Sequence, residues 1–186
     1  RSQASCAGGT GSKATPGAGL SDQSDGTHSS VVLKIKHAGA AWFDGTFEAV
    51  SGKLDVDEAD PSKCAVEVEI DAGSVDTNNG DRDGHIESPD FLSAKEFPSI
   101  TFRSTAVKSK GKDQLEVTGE LAFRGVTKSL TVPVTYVGKG EFHGKRIGYE
   151  TTFSFKRSDF GSTYGVAEGA LGDEVFLTVS LEGVAP

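Results

Sequence analysis

Eight separate stretches of this chain alternate apolar and polar residues with a period of two, and this pattern restricts the fold more than any other feature. Val31, Leu33, Ile35 and His37 alternate with Val32, Lys34 and Lys36. A second stretch runs through Phe43, Phe47, Val50, Leu54 and Val56, with Gly45 and Gly52 suited to bends or a bulge. Val66, Val68 and Ile70 follow, then Ile100, Phe102, Ser104 and Ala106. Leu115, Val117, Gly119, Leu121 and Phe123 lead by a short turn at Arg124-Gly125-Val126 to Leu130, Val132, Val134 and Tyr136. Ile147, Tyr149, Thr151, Phe153 and Phe155 form the seventh stretch, and Val175, Leu177, Val179 and Leu181 the eighth.

Each such strand has one apolar face to bury. Eight antiparallel strands achieve this by curling into a closed barrel, which also removes the exposed edges. Two stacked sheets are the rival architecture. A barrel of eight strands is either filled by its own side chains or holds one small ligand. The small residues on the apolar faces, Ser104, Ala106, Gly119 and Thr151, leave room for a guest, although a tapering filled barrel uses small residues too.

One segment breaks the pattern. Residues 78–97 lack alternation and are interrupted by Pro89. They predict a short helix from about Asp81 to Ser88 and a second turn around Asp90 to Ala94. The first 26 residues are rich in Gly, Ser, Ala and Thr, which predicts a flexible tail over 1–26 and a folded domain over 27–186.

The chain has 186 residues, the size of one undivided all-β domain. Its net charge of −8 repels phosphate backbones and anionic headgroups, which argues against nucleic acid and against electrostatic docking on membranes. No stretch approaches the roughly 18 apolar residues of a membrane-spanning helix. Starting at Arg1 without Met, the chain reads as a processed or trimmed form. Cys6 and Cys64 lie outside any metal-ligand spacing, so no metal site is expected. They leave three readings open: a disulfide in an oxidising compartment, a lipid-modified Cys6 heading a tether, or two unpaired thiols.

Arg82, Asp83 and His85 cluster in the predicted helical segment. They suit either a polar lipid head or ordinary structural work, with Asp81 and Asp83 capping the helix and Arg82 pairing with a barrel carboxylate. The structural use is the commoner one. His37 is expected on the inward face near one end of its strand, and Trp42 at the mouth of the barrel. Phe91, Phe97 and Pro98 either anchor the insertion or form its lid, and Arg157 to Gly161 read as a turn held by side-chain hydrogen bonds. No nucleophile–base, zinc-protease or phosphate-loop motif is present, so no catalytic residue is assigned.

Four stretches, "HSSVVLKIKHAG", "RDGHIESPDFLSAKEFPSITF", "VTGELAFRGVTKSLTVPV" and "KRSDFGS", resemble the YceI-like family of bacterial secreted proteins over about His28 to Val184. The resemblance implies an all-β fold: an eight-stranded antiparallel lipocalin-like barrel with a short helical insertion after the third strand. Ser21 to Gly26 stand where the family has a leading strand, so the first strand is expected to be short. The resemblance further implies a periplasmic or secreted protein without catalytic mechanism or cofactor. Its cargo would be a long isoprenoid lipid or quinone, carried or stored inside the barrel, and a homodimer is left open. That cargo is expected to thread between Val31, Leu33, Ile35, Phe102, Leu121, Val132, Tyr149, Phe153 and Leu177, with His37, Arg82 and His85 near its polar end. Two alternatives are a lipid hydrolase using His28, Asp83 and His85, and a ligand-free structural barrel.

Overall fold

A computed structural model describes residues 20–24, 26–57 and 59–185. In chain order they form β1 (Leu20–Ser24), β2 (Ser30–His37), β3 (Ala41–Phe47), β4 (Val50–Val56), β5 (Ala65–Asp71) and β6 (Val75–Asp76). After these come α1 (Gly80–Glu87), β7 (Ser99–Gly111), β8 (Gln114–Phe123), β9 (Val126–Glu141), β10 (Lys145–Lys156) and β11 (Leu171–Ala185). All pairings are antiparallel and all strands belong to one sheet, not to the two of a sandwich. β1 pairs with β4 through Leu20↔Val56 and with β11 through Gln23↔Val184, so the run from β4 to β11 returns on itself. β2 lies beside β11, followed by β3 and β6.

The expected count of eight strands rises to eleven among the described residues. The second stretch breaks at Glu48 and Ala49, where the sheet turns a corner: the Glu48 amide donates to the Ser74 carbonyl, 2.9 Å, and the Ala49 amide to Ser74 Oγ, 3.1 Å. β6 is a two-residue strand beyond a 3₁₀ turn over Ala72–Ser74. β1 falls within the segment assigned to the tail and supplies a leading strand of five residues, where a short one was expected. Its sequence, LSDQS, has no apolar alternation, and backbone pairing on both sides incorporates it. The rest of the expected tail, Arg1 to Gly19 with Cys6, lies outside the described residues.

A bulge redirects β7. Its register against β8 shifts between Ser104 and Ala106, which exposes Ala106 and buries Val107. Ala106 was expected on the inward face, and one inserted residue is enough to exchange the two faces of a strand. The other small residues also have specific uses. Ser104 Oγ accepts from the Val66 amide, 2.9 Å. Gly119 makes room for the ring of Phe102 on the neighbouring strand.

The helical insertion leaves the sheet between β6 and β7. Asn79, not Asp81 or Asp83, caps α1: its side chain accepts from the Arg82 amide at 3.0 Å. Asp81 and Asp83 in the first turn complement the helix dipole. Ser88 before Pro89 ends the helix, since a residue preceding proline disfavours helical geometry. Tight non-helical turns follow, with the Ala94 amide donating to the Glu87 carbonyl (2.9 Å) and the Phe97 amide to that of Ser93 (2.9 Å).

Candidate functional site

The curled sheet encloses a cavity of about 770 Å³, in the upper half of the usual size range for ligand pockets. Its far end is walled by the buried side chains of Leu54, Val56, Val107, Leu115 and Leu181. Eleven of the twelve residues expected around the cargo border it: Leu33, Ile35, His37, Arg82, His85, Phe102, Leu121, Val132, Tyr149, Phe153 and Leu177. Val31 does not. It is fully buried beside Phe47 and Val179 at the start of β2, where the wall is closed by its own side chains. Thr151 alone of the four small residues borders the cavity, and its hydroxyl donates to the Pro133 carbonyl at 2.6 Å.

Ionisable side chains gather at one end. Asp55 and Glu150 also border the cavity, but their neighbours Leu54, Val56 and Tyr149 are the buried positions of those strands. At the mouth, Arg82 Nε donates to Thr77 Oγ1 at 2.9 Å and its Nη2 to the Thr77 carbonyl at 2.5 Å. Its guanidinium lies 4.5 Å from the Phe43 ring centroid. The expected pairing of Arg82 with a barrel carboxylate is therefore corrected: a threonine and an aromatic face hold it. Asp83 serves the same threonine, accepting from the Thr77 amide at 2.9 Å and from its hydroxyl.

His85 sits 3.0 Å from Asp90 through Nε2. Its ring packs against Phe91 at 5.0 Å and Tyr164 at 5.1 Å, and those two rings are 5.2 Å apart. The insertion and the loop after β10 thus meet over the mouth. Phe91 serves this contact and borders the cavity, while Phe97 instead packs on Gly125. Trp42 borders the mouth but keeps 49% of its surface exposed, packing edge-on to Phe176 with Lys34 Nζ 5.0 Å from its ring.

Arg157 is the site residue that sequence reading missed. The segment forms the expected turn, with the Ser158 amide and hydroxyl donating to Asp173 at 3.0 and 2.8 Å and Gly161 closing it in the left-handed region (φ 80°). Arg157 itself is 3% exposed and borders the cavity. Its guanidinium donates to the carbonyls of Gly172 (2.9 Å), Ser162 (3.2 Å) and Tyr164 (2.7 Å), and lies 5.7 Å from the Phe91 ring centroid. Burial pulls its pKa below the ordinary arginine value, with the Asp173 carboxylate opposing that shift. A signal was present in the sequence, because Arg157 continues the inward series of Tyr149, Thr151, Phe153 and Phe155.

Deeper in the cavity wall, burial raises the pKa of Tyr149 strongly, and the neighbouring Tyr136 adds to the rise. Desolvation also raises Tyr136, with Asp113 contributing.

The three residues of the hydrolase alternative do not converge. His28 lies at the far end of the sheet, 3.9 Å from Glu182, whereas His85 is at the mouth and Asp83 is committed to Thr77. Cys64 is disulfide-bonded, so the unpaired reading fails for it. Among the described residues, no cluster of three or more His, Cys, Asp or Glu side chains is arranged to hold a metal ion, and no helix is long and apolar enough to cross a membrane.

Comparison with known proteins places this architecture. Residues 23–183 match the model of the YceI-like domain. The chain belongs to the YceI-like family. It is 41% identical over 162 residues to Protein YceI of Salmonella arizonae, covering 86% of this chain and 83% of that one. Among solved structures it is similar to Burkholderia cenocepacia BcnA, with a TM-score of 0.79, 26% identity, and coverage of 86% of this chain and 98% of the other. The YCEI protein of Campylobacter jejuni gives a TM-score of 0.71 at 28% identity, over 82% and 91% of the two chains. A polyisoprenoid-binding domain from Saccharophagus degradans shares the fold at 16% identity, with a TM-score of 0.71 over 90% and 99%.

Proposed function

We propose that this YceI-like protein binds one long apolar amphiphile of the isoprenoid class, a polyprenyl lipid or isoprenoid quinone, without covalent chemistry. The curled sheet would serve as a lipocalin-like container, carrying or storing its cargo in the periplasm. The observation that carries this reading is the cavity of about 770 Å³, lined along its depth by Leu, Ile, Val and Phe and ringed at one end by Arg82, His85 and Arg157. The fold shared with a polyisoprenoid-binding domain supports the same class of cargo.

The energetics favour a long tail. Each buried CH₂ contributes about 0.8 kcal/mol. Association costs about 4–15 kcal/mol before any surplus appears as affinity. Roughly five to nineteen methylene equivalents are then needed just to offset that cost, so a short chain would not be retained.

The test is mass spectrometry of an organic extract of the purified protein beside native mass spectrometry of the intact complex, which also reads the oligomeric state. A stoichiometric long-chain isoprenoid is the expected result. A clean apo mass that persists after polyprenols and quinones are offered would overturn the reading. Periplasmic location is tested by fractionating the native host, where recovery in the cytoplasm would count against it.

A further inference from the structure

One joint in the wall of the container is incomplete. The ladder between β9 and β10 runs from Glu141↔Lys145 to Thr135↔Glu150 and ends there, although β10 continues to Lys156. On their other sides both strands are paired along this stretch: β9 with β8 as far as Val126↔Phe123, and β10 with β11 as far as Lys156↔Glu174. Among the described residues, 151–156 therefore have no backbone pairing to β9.

The ladder ends at a proline. The Pro133 carbonyl faces β10, because it accepts from Thr151 Oγ1 at 2.6 Å, while the Tyr136 amide faces the opposite way and donates to the Asp113 carbonyl. In an antiparallel ladder the N–H and C=O of one residue serve the same neighbour, so position 133 lacks the donor that β10 would need. A proline within a sheet is confined to edges and bulges. By strand order β9 is interior, and it behaves as an edge only along this stretch. A side-chain hydroxyl, not the ladder, spans the gap there.

The gap faces the cavity. Val132 and Val134 line the cavity from β9, and Thr151, Phe153 and Phe155 line it from β10. On the outer surface Thr131, Pro133 and Thr152 are exposed, and none of them is charged. A hydrocarbon tail crossing between the strands would strip water from no ion. At the insertion end, by contrast, His85, Phe91 and Tyr164 pack with ring centroids 5.0 to 5.2 Å apart. Passage there has to part packed aromatic rings.

We propose that the β9–β10 seam is a side port of the container, through which the apolar tail of the cargo enters and leaves, and that the Thr151–Pro133 hydrogen bond is its latch. The assignment rests on the isoprenoid reading above and adds the route. A latch acts on rate and not on affinity, since it opens for cargo moving either way. A side chain that merely touches cargo behaves differently: its loss changes Kd, mostly through the departure rate.

The test uses the purified full chain loaded with geranylgeraniol. Exchange of the bound alcohol for its deuterated form, followed by native mass spectrometry, gives the off-rate, and calorimetry gives Kd. Thr151→Val removes the latch and is expected to raise the off-rate roughly two- to tenfold, the worth of one net hydrogen bond. Pro133→Thr restores the missing donor and is expected to lower the off-rate by a similar factor. Kd should change little in both. An off-rate that is unchanged or moves the other way in either variant, or a change in Kd as large as the change in rate, would overturn the port. Failure of the parent chain to bind geranylgeraniol would overturn the isoprenoid reading itself, and the port with it. Hydrogen exchange on the unaltered, unliganded chain needs no variant. The Thr131 and Thr152 amides at the seam are expected to exchange faster than the Thr135 and Glu150 amides at the end of the ladder. Equal protection of the two pairs would overturn the proposal.

Discussion

The ring of Phe102 on β7 lies over Gly119 on β8, in the space a side chain at 119 would fill. A Cβ placed there would meet Cζ and Cε2 of the ring and stand 2.6 Å from the Arg103 carbonyl oxygen. Backbone and ring both resist, so Gly119→Ala is expected to cost about 1–3 kcal/mol through overpacking. Thermal denaturation measures this. A Gly119→Ala protein as stable as the parent would mean that Phe102 is not seated there.

Asp83 holds the insertion onto the sheet through Thr77, whose amide and hydroxyl both donate to it. Thr77 is 5% exposed, so Asp83→Ala leaves buried donors unmet. The expected cost is about 1–3 kcal/mol. Hydrogen exchange should localise the loss to α1 and the turns after it. Faster exchange spread evenly over the sheet would contradict this role.

Phe153 borders the cavity on β10, opposite Leu177 of β11. Phe153→Ala is expected to weaken retention of a long-chain isoprenoid and to shrink the rise in Tm that a bound ligand confers. That rise corresponds to about 2.7 kcal/mol when ligand stands at 100 times Kd. Unchanged retention would show that the cargo does not pass this side chain.

Tyr149 sets a limit at alkaline pH. Burial, then the neighbouring Tyr136, raises its pKa in the folded protein above the unfolded value of about 10. A raised pKa favours the protonated form in the native state. Its contribution to stability is complete below pH ~10 and is lost as pH rises from there toward the folded value. Tyr149→Phe is therefore expected to flatten the alkaline limb of a pH–stability curve, followed by chemical denaturation across that range. An alkaline limb as steep as that of the parent would refute the assignment.

Much of this architecture is legible in the sequence because alternation records which residues face inward. Tyr149 and Phe153 on β10, Leu121 on β8 and Leu177 on β11 all border the cavity as their spacing predicts. What escaped has no apolar signature. β1 is recruited through backbone pairing, and a period-two scan cannot see that. The β7 bulge exchanges Ala106 for Val107 by a local change of register. Arg157 reads as a turn residue because its charge hides its place in the inward series. Gly119 looks like room for a guest, but the space belongs to Phe102 on the adjacent strand β7.

Arg82, His85 and Arg157 form a polar rim at one end of the container, opposite the wall of Leu54, Val56, Val107, Leu115 and Leu181. Cargo of the proposed kind would lie with its tail toward that wall, so its whole tail must be re-wetted before release. With about 0.8 kcal/mol per methylene, each added CH₂ would lengthen the dwell time roughly fourfold, since affinity differences among related complexes reside mostly in departure rates. Such a carrier sorts by patience: short tails escape within the time that long ones are still being held, and chain length becomes a clock.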